Sequence, residues 1–228
     1  MENLETIKQD IEKAKKKKGI AELHIKTVNI LFLDVSSTCT GYSIVSIELG
    51  NKVAPVTFKK AGCIWFGPDW DHQTKYSYIF NAILTYFEVA ENIDLIIHET
   101  YSINKDRMMG VLVVPEMIGA IKTAAKENGV KVDNIPPQTW RAQIGLKPVI
   151  TAGKKDYKTP CKDIVNKLIS NVPSEVVSNI TNKNRATPSD LYDAIGIGLG
   201  WLKKNGYGNI VYDKCEFNSH IGALEERG

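Results

Sequence analysis

The chain is poor in cysteine and scatters what it has. Cys39, Cys63, Cys161 and Cys215 form no C-x-x-C pair. Neither a zinc site nor a disulfide framework is signalled, and the chain reads as cytoplasmic, from a reducing compartment. No apolar run is long enough to span a bilayer, which argues against a membrane protein. The first residues are polar and charged and do not read as a secretory signal. Internal repeats and low-complexity segments are absent too. Charge of one sign is in little excess: the net charge is +3, too small alone to imply nucleic acid. The remaining picture is ordinary: 228 residues, 43% hydrophobic and 24% charged. That suits one domain with an appendage, or two small domains, with a core large enough to stand without staples.

Organisation follows from periodicity. Residues 1–27 read as an N-terminal basic helical extension, with Leu4, Ile7 and Ile11 at helical spacing before Lys15 to Lys18. The lysine run suits a solvated helix end or a phosphate-contacting arm. Residues 28–204 read as one α/β domain. "NILFLDV" is a continuous apolar run, typical of a strand covered on both faces. "GYSIVSIEL" and "VTFKKAGCIWF" follow after short links, which suggests an antiparallel meander. A helix is expected where Tyr78, Ile79, Ala82, Ile83, Tyr86 and Phe87 share a stripe. A fourth strand, "IDLIIHETY", a helix near 113–127 and a fifth strand, "VKVDNIP", complete a mixed five-stranded sheet flanked by helices. The tail, 205–228, is polar and reads as partly disordered.

Residues 136–187 change character. Arg141, Lys147, Lys154, Lys155, Lys158, Lys162 and Lys167 stand there against Asp156 and Asp163. The expectation is a short helix at 137–144, a mobile basic loop at 147–157 and a helix at 159–170. A one-sided basic excess suits either a soluble surface or phosphate contacts. The last helix is expected over 187–204, with Thr187 as N-cap and Pro188 at N1. Gly196, Gly198 and Gly200 weaken a helix in isolation. They suit one packed very closely on the sheet.

Four carboxylates stand out. Asp34 and Glu99 each end an apolar strand, and adjacent parallel strands would bring those ends together. Asp190 and Asp193 are three apart and share a helix face. Each has a bland explanation: Asp34 as a turn-former, Glu99 as the partner of a buried cation, Asp190 as half of a capping box. Capping does not explain Asp193. Converging without a cation, the four would repel one another. Magnesium accepts hard oxygen ligands and works with a few carboxylates plus substrate phosphates. Two such ions can serve a phosphodiester hydrolysis from both sides.

The ordered set of motifs resembles the RuvC-type Holliday-junction resolvases of the ribonuclease H-like superfamily. "FLDVSSTCTGYSIV" is similar to their first hairpin, "LIIHETY" to their fourth strand, and "SDLYDAIGIGLGWL" to their C-terminal helix with D-x-x-D-A spacing. The resemblance covers roughly residues 28–204. It implies a ribonuclease H-like fold and makes Asp34, Glu99, Asp190 and Asp193 ligands of two Mg2+ ions, with Mn2+ able to substitute. It places Arg141, and Lys158 or Lys162, near the scissile phosphate. Tyr101 is the nearest counterpart of an aromatic that follows the catalytic Glu in such enzymes. Lys105, Arg107, Lys154 and Lys155 are further candidates for DNA contact.

The implied activity is metal-dependent resolution of four-way DNA junctions, leaving 5′-phosphate and 3′-hydroxyl ends. Symmetric resolution needs two sites, so a homodimer is expected, with the apolar helix near 113–127 as interface or as buried core. Three other readings stand beside it. One is a related nuclease cutting flaps, forks or RNA–DNA hybrids. Another is a non-catalytic junction-binding protein. The third, an actin-like or sugar-kinase ATPase, needs a second domain copy for which the chain is too short.

Overall fold

The computed structural model describes residues 26–89, 92–101, 112–151, 153–168, 189–211 and 216–221. The expected N-terminal helix, Lys105, Arg107 and the Thr187–Pro188 cap lie outside the described residues.

A meander opens the fold: β1 (Thr27–Asp34), β2 (Cys39–Glu48) and β3 (Val56–Trp65) pair antiparallel. Helix α1 (His72–Val89) crosses to β4 (Ile93–Glu99), and α2 (Val113–Glu127) crosses to β5 (Lys131–Ile135). Both crossovers return the chain parallel to its neighbour, β4 beside β1 and β5 beside β4. The five expected strands therefore form the expected mixed sheet, in the order β5-β4-β1-β2-β3. β1 lies at its centre, and residues 28–33 are buried.

Three elements follow in the basic region: α3 (Pro137–Gln143), a hairpin of β6 (Val149–Thr151) and β7 (Lys154–Asp156), and α4 (Lys158–Leu168). The stretch expected as a mobile loop at 147–157 is thus a paired hairpin. Short extended segments around a glycine turn signal it only weakly, because β7 is Lys154-Lys155-Asp156 and carries no apolar residue to set a period. Helix α5 (Ser189–Lys204) is the last helix among the described residues. The tail is not without structure. β8 (Ile210–Val211) and β9 (Glu216–Ile221) both pair parallel with β3, extending the sheet's far edge. Edge pairing needs only backbone groups, so a polar composition hides it.

The sheet separates two apolar layers. Leu31, Leu33, Tyr42 and Ile44 pack with Ile79 and Ile83 of α1 and Met117 and Ile121 of α2. Ile30, Phe32 and Ile97 face the other way, toward Trp140 of α3, Cys161 and Val165 of α4, and Ile195 and Leu199 of α5. Helix α2 spends its apolar residues inside the chain, with Gly119, Lys122, Thr123 and Lys126 exposed. Of the two readings of this helix, interface or buried core, the burial of Val113, Met117, Ala120, Ile121, Ala124 and Ala125 supports the core. Among the described residues no helix is long and apolar enough to cross a membrane.

Candidate active site

Strand periodicity decides which face the first two carboxylates occupy. Side chains two apart on a strand share a face. Phe32 and Ile97 lie in the layer beneath α5, so Asp34 and Glu99 belong to that layer's upper edge. Register aligns them, because Leu33 sits beside His98 in the parallel pair and each carboxylate is the next residue on its strand.

Glycines bring in the other two. Gly41 lies directly opposite Asp34 on β2. A Cβ there would overlap the backbone carbonyl of Asp190, so α5 begins in contact with the β2 backbone. Further along, Gly196 and Gly200 admit Trp140, and Gly198 admits the Phe32 ring. The expected close packing of this glycine-rich helix on the sheet is what the structure shows. Its consequence is that Asp190 and Asp193 lie over the strand-end carboxylates.

The electrostatics report the convergence. Burial holds the Asp34 carboxyl well above the usual carboxylate range; the charges of Asp193, Asp190 and Glu99 raise it further, and Lys158 opposes them. Glu99 is raised by burial, against Arg141 and a hydrogen bond from Trp140. Burial also raises Asp190, which Lys158 and hydrogen bonds with Asp34, Cys39 and Ser189 hold down. Asp193 is raised by burial, with Cys161 and Arg141 opposing. Burial is the largest cause at all four, and the repulsion of neighbouring carboxylates adds to it at Asp34, Glu99 and Asp193.

Two cations face the cluster. Arg141 Nη2 lies 3.6 Å from Glu99 Oε1, and its guanidinium stacks 4.5 Å from the Tyr157 ring centre. Lys158 Nζ donates to Ser189 Oγ at 2.8 Å, which holds it at the start of α5. Trp140 is fully buried and donates from Nε1 to Glu99 Oε2 at 3.2 Å. Four carboxylates against two cations leave two negative charges over, and the donors are hard oxygens, the type that suits Mg2+ or Mn2+. The cluster is not drawn into a finished cage. Among the described residues no three His, Cys, Asp or Glu side chains already stand at metal-binding spacing. The donor set fits a divalent ion that keeps waters and substrate oxygens as ligands.

The other sequence candidates are distributed around this centre. Tyr101 lines a cleft of about 230 Å³ together with Asp34, Glu99, Ile118 and Pro137. Lys162 lies one turn beyond Lys158 on α4, with Nζ 5.7 Å from the Tyr192 ring centre. Lys154 and Lys155 are exposed on β7. Sequence reasoning misses Trp140, Tyr157, Cys39 and Cys161. Cys39 lies beside Asp190, and Cys161 lies beside Asp193 and donates from Sγ to the Tyr192 carbonyl at 3.5 Å. The tryptophan carries one signal, its place beside Arg141 in a short helix. The cysteines carry none, since only the fold places them.

The raised carboxyls predict an unusual pH response of the metal-free protein. A carboxyl with a raised folded-state pKa stabilises the fold below its unfolded pKa, about 4. That stability is lost as pH rises through the folded value. With chelator present, wild type should therefore melt at a lower temperature as pH climbs above about 4. Asp34→Asn should melt higher than wild type at the alkaline end and converge with it at the acid end. Parallel melting curves for the two proteins would contradict the charge strain at residue 34.

No family model and no curated protein matches the chain. Solved structures do match its fold. Thermus thermophilus RuvC in complex with a Holliday junction substrate aligns with a TM-score of 0.57 at 16% identity, covering 80% of this chain and 98% of that one. A second T. thermophilus RuvC structure gives 0.54 at 18% identity, covering 79% and 98%. The yeast mitochondrial Holliday junction resolvase Ydc2 gives 0.52 at 16% identity, covering 76% and 77%. At these identities the likeness is one of fold.

Proposed function

We propose that this chain, whose fold is ribonuclease H-like, is a divalent-metal-dependent endonuclease that resolves four-way DNA junctions. The observation that carries the reading is the convergence of Asp34, Glu99, Asp190 and Asp193 at one edge of the sheet, with too few cations to balance them. The fold likeness to a RuvC–junction complex and to a mitochondrial resolvase supports the choice of substrate.

In this proposal the four carboxylates hold two Mg2+ ions, or Mn2+ in their place. When bound, such ions supply Lewis acidity at the scissile phosphate and offset the carboxylates' repulsion. The protein's own task is positioning. Asp34 ends the central strand, paired with Gly41 of β2 on one side and one residue past the last pair with β4 on the other. Trp140 and Arg141 hold the two oxygens of Glu99. Lys158 and Arg141 stand ready to receive phosphate oxygens, and the cleft at Tyr101 gives access. Lys105, Arg107, Lys154, Lys155 and Lys162 complete the proposed DNA contacts. Paired cuts across a two-fold junction require two such sites, which a homodimer provides.

The test is cleavage of a labelled immobile four-way junction beside linear duplex, flap and RNA–DNA hybrid, with Mg2+ and with chelator. The expected result is paired, symmetric, Mg2+-dependent nicks in the junction alone. Cutting chiefly of flap or hybrid would keep a nuclease and overturn the junction assignment. Tight junction binding with no cutting of any substrate would make the chain a binding protein.

A further inference from the structure

The β6–β7 hairpin carries two adjacent exposed β-branched residues, Val149 at 51% exposure and Ile150 at 70%. Neighbouring strand residues point to opposite faces, so neither face of this ribbon is covered. Register gives each face an apolar residue and a lysine. Ile150 pairs with Lys155, and Lys154, one residue before Lys155, falls on the other face with Val149. The one acid on the hairpin is already engaged. Asp156 accepts from the Lys158 backbone N–H at 2.8 Å and from the Thr159 hydroxyl at 3.0 Å.

The hairpin is rooted in the site. On entry, the Leu146 N–H donates to the Arg141 carbonyl at 2.8 Å, and Ile144 and Leu146 are buried. On exit the chain passes through Tyr157, which packs under the Arg141 guanidinium, and into Lys158. The two cations that face the carboxylates thus flank the base of a basic ribbon with apolar residues on both sides. A flat protein partner would cover one face. Two faces, each with an apolar side chain and a cation, suit two strands of nucleic acid held apart.

We propose that this hairpin is a strand-parting wedge: Val149 and Ile150 press against bases at the branch point while Lys154 and Lys155 hold the flanking phosphates. The proposal rests on the junction reading above. Apolar side chains driven between base steps unstack them at an energetic cost, and the cost is smallest where pairing is already broken. The wedge therefore favours branch points over intact duplex.

The experiment uses the full chain and a four-way junction carrying 2-aminopurine at the branch point, with chelator to prevent cutting. Wild type is expected to raise the fluorescence on binding. Val149→Ser/Ile150→Ser, both exposed positions, should keep the wild-type melting temperature, bind the junction about tenfold more weakly and leave the fluorescence flat. Lys154→Ala/Lys155→Ala should reduce the slope of log affinity against log salt by about one to two, yet still raise the fluorescence at saturation. A serine variant that matches wild type in affinity and fluorescence overturns the wedge. So does one that converts a wild-type dimer to monomer, since the apolar pair would then belong to a second copy. Wild type that cuts junctions while the serine variant behaves identically removes the wedge alone. Wild type that neither binds nor cuts junctions removes the junction reading with it.

Discussion

Asp34→Asn is expected to lower junction cleavage by about a thousandfold or more while leaving junction affinity within about threefold of wild type. The substitution is nearly isosteric and removes one charge from the centre of the cluster. Phosphate contacts in this proposal come from Arg141, the lysines and the hairpin, none of which it touches. Affinity should hold, or rise slightly, because a carboxylate that repels phosphate has gone. Activity should fall because the most deeply held of the four oxygen donors has been replaced by an amide. Cleavage and binding must be measured on the same junction, at one salt concentration, over a range of Mg2+. Full activity in the variant would remove Asp34 from the reaction. Equal loss of binding and cleavage would indicate a damaged fold instead. Recovery at high Mg2+ or Mn2+ would show that the defect lies in ion affinity.

Gly41→Ala is the second large effect, and it acts through the backbone. The added methyl would overlap the carbonyl carbon and oxygen of Asp190 and lie 2.8 Å from the Leu191 nitrogen. All three are main-chain atoms of the first turn of α5. No rotamer change relieves the clash, so the helix start must move away from β2. Overpacking of this kind costs about 3 kcal/mol. The displacement also lifts Asp190 away from Asp34. Both stability and cleavage should fall, and added metal should not restore cleavage. Gly119→Ala is the matched control. It makes the same chemical change in α2, where a Cβ meets nothing within 4 Å. There alanine should stabilise the helix by about 0.5–1 kcal/mol. Urea unfolding of both variants measures the contrast. Equal and small effects would show that α5 does not press on the β2 backbone.

Much of this architecture is legible in the residue pattern alone. Continuous apolar runs in "NILFLDV" and "IDLIIHE" mean strands buried on both sides, and they are. Short links mean a meander and helical stretches mean crossovers, which yields the mixed sense of the five-stranded sheet. The D-x-x-D spacing places two acids on one helix face. Other features are not legible. The hairpin at 149–156 lacks an apolar alternation. The pairing of β8 and β9 uses backbone groups, which no side-chain pattern records. The apolar residues of α2 look alike in sequence whether they meet a second chain or their own core. The structure assigns them to the core because α1 and the sheet lie against them.

The division has a physical basis. Local properties of the chain, its apolar period and the residues that end each strand, determine the elements, their order and the identity of the four acids. Long-range approach is left to the tertiary structure. Asp34 and Asp190 are 156 residues apart, and only the missing side chain of Gly41 lets α5 settle close enough for their carboxylates to meet. The same packing seats Trp140 under Gly196 and Gly200, where its ring nitrogen reaches Glu99. Charge strain at the site is therefore a product of packing. Sequence supplies the carboxylates, and burial with close backbone contact turns them into a centre that calls for a cation.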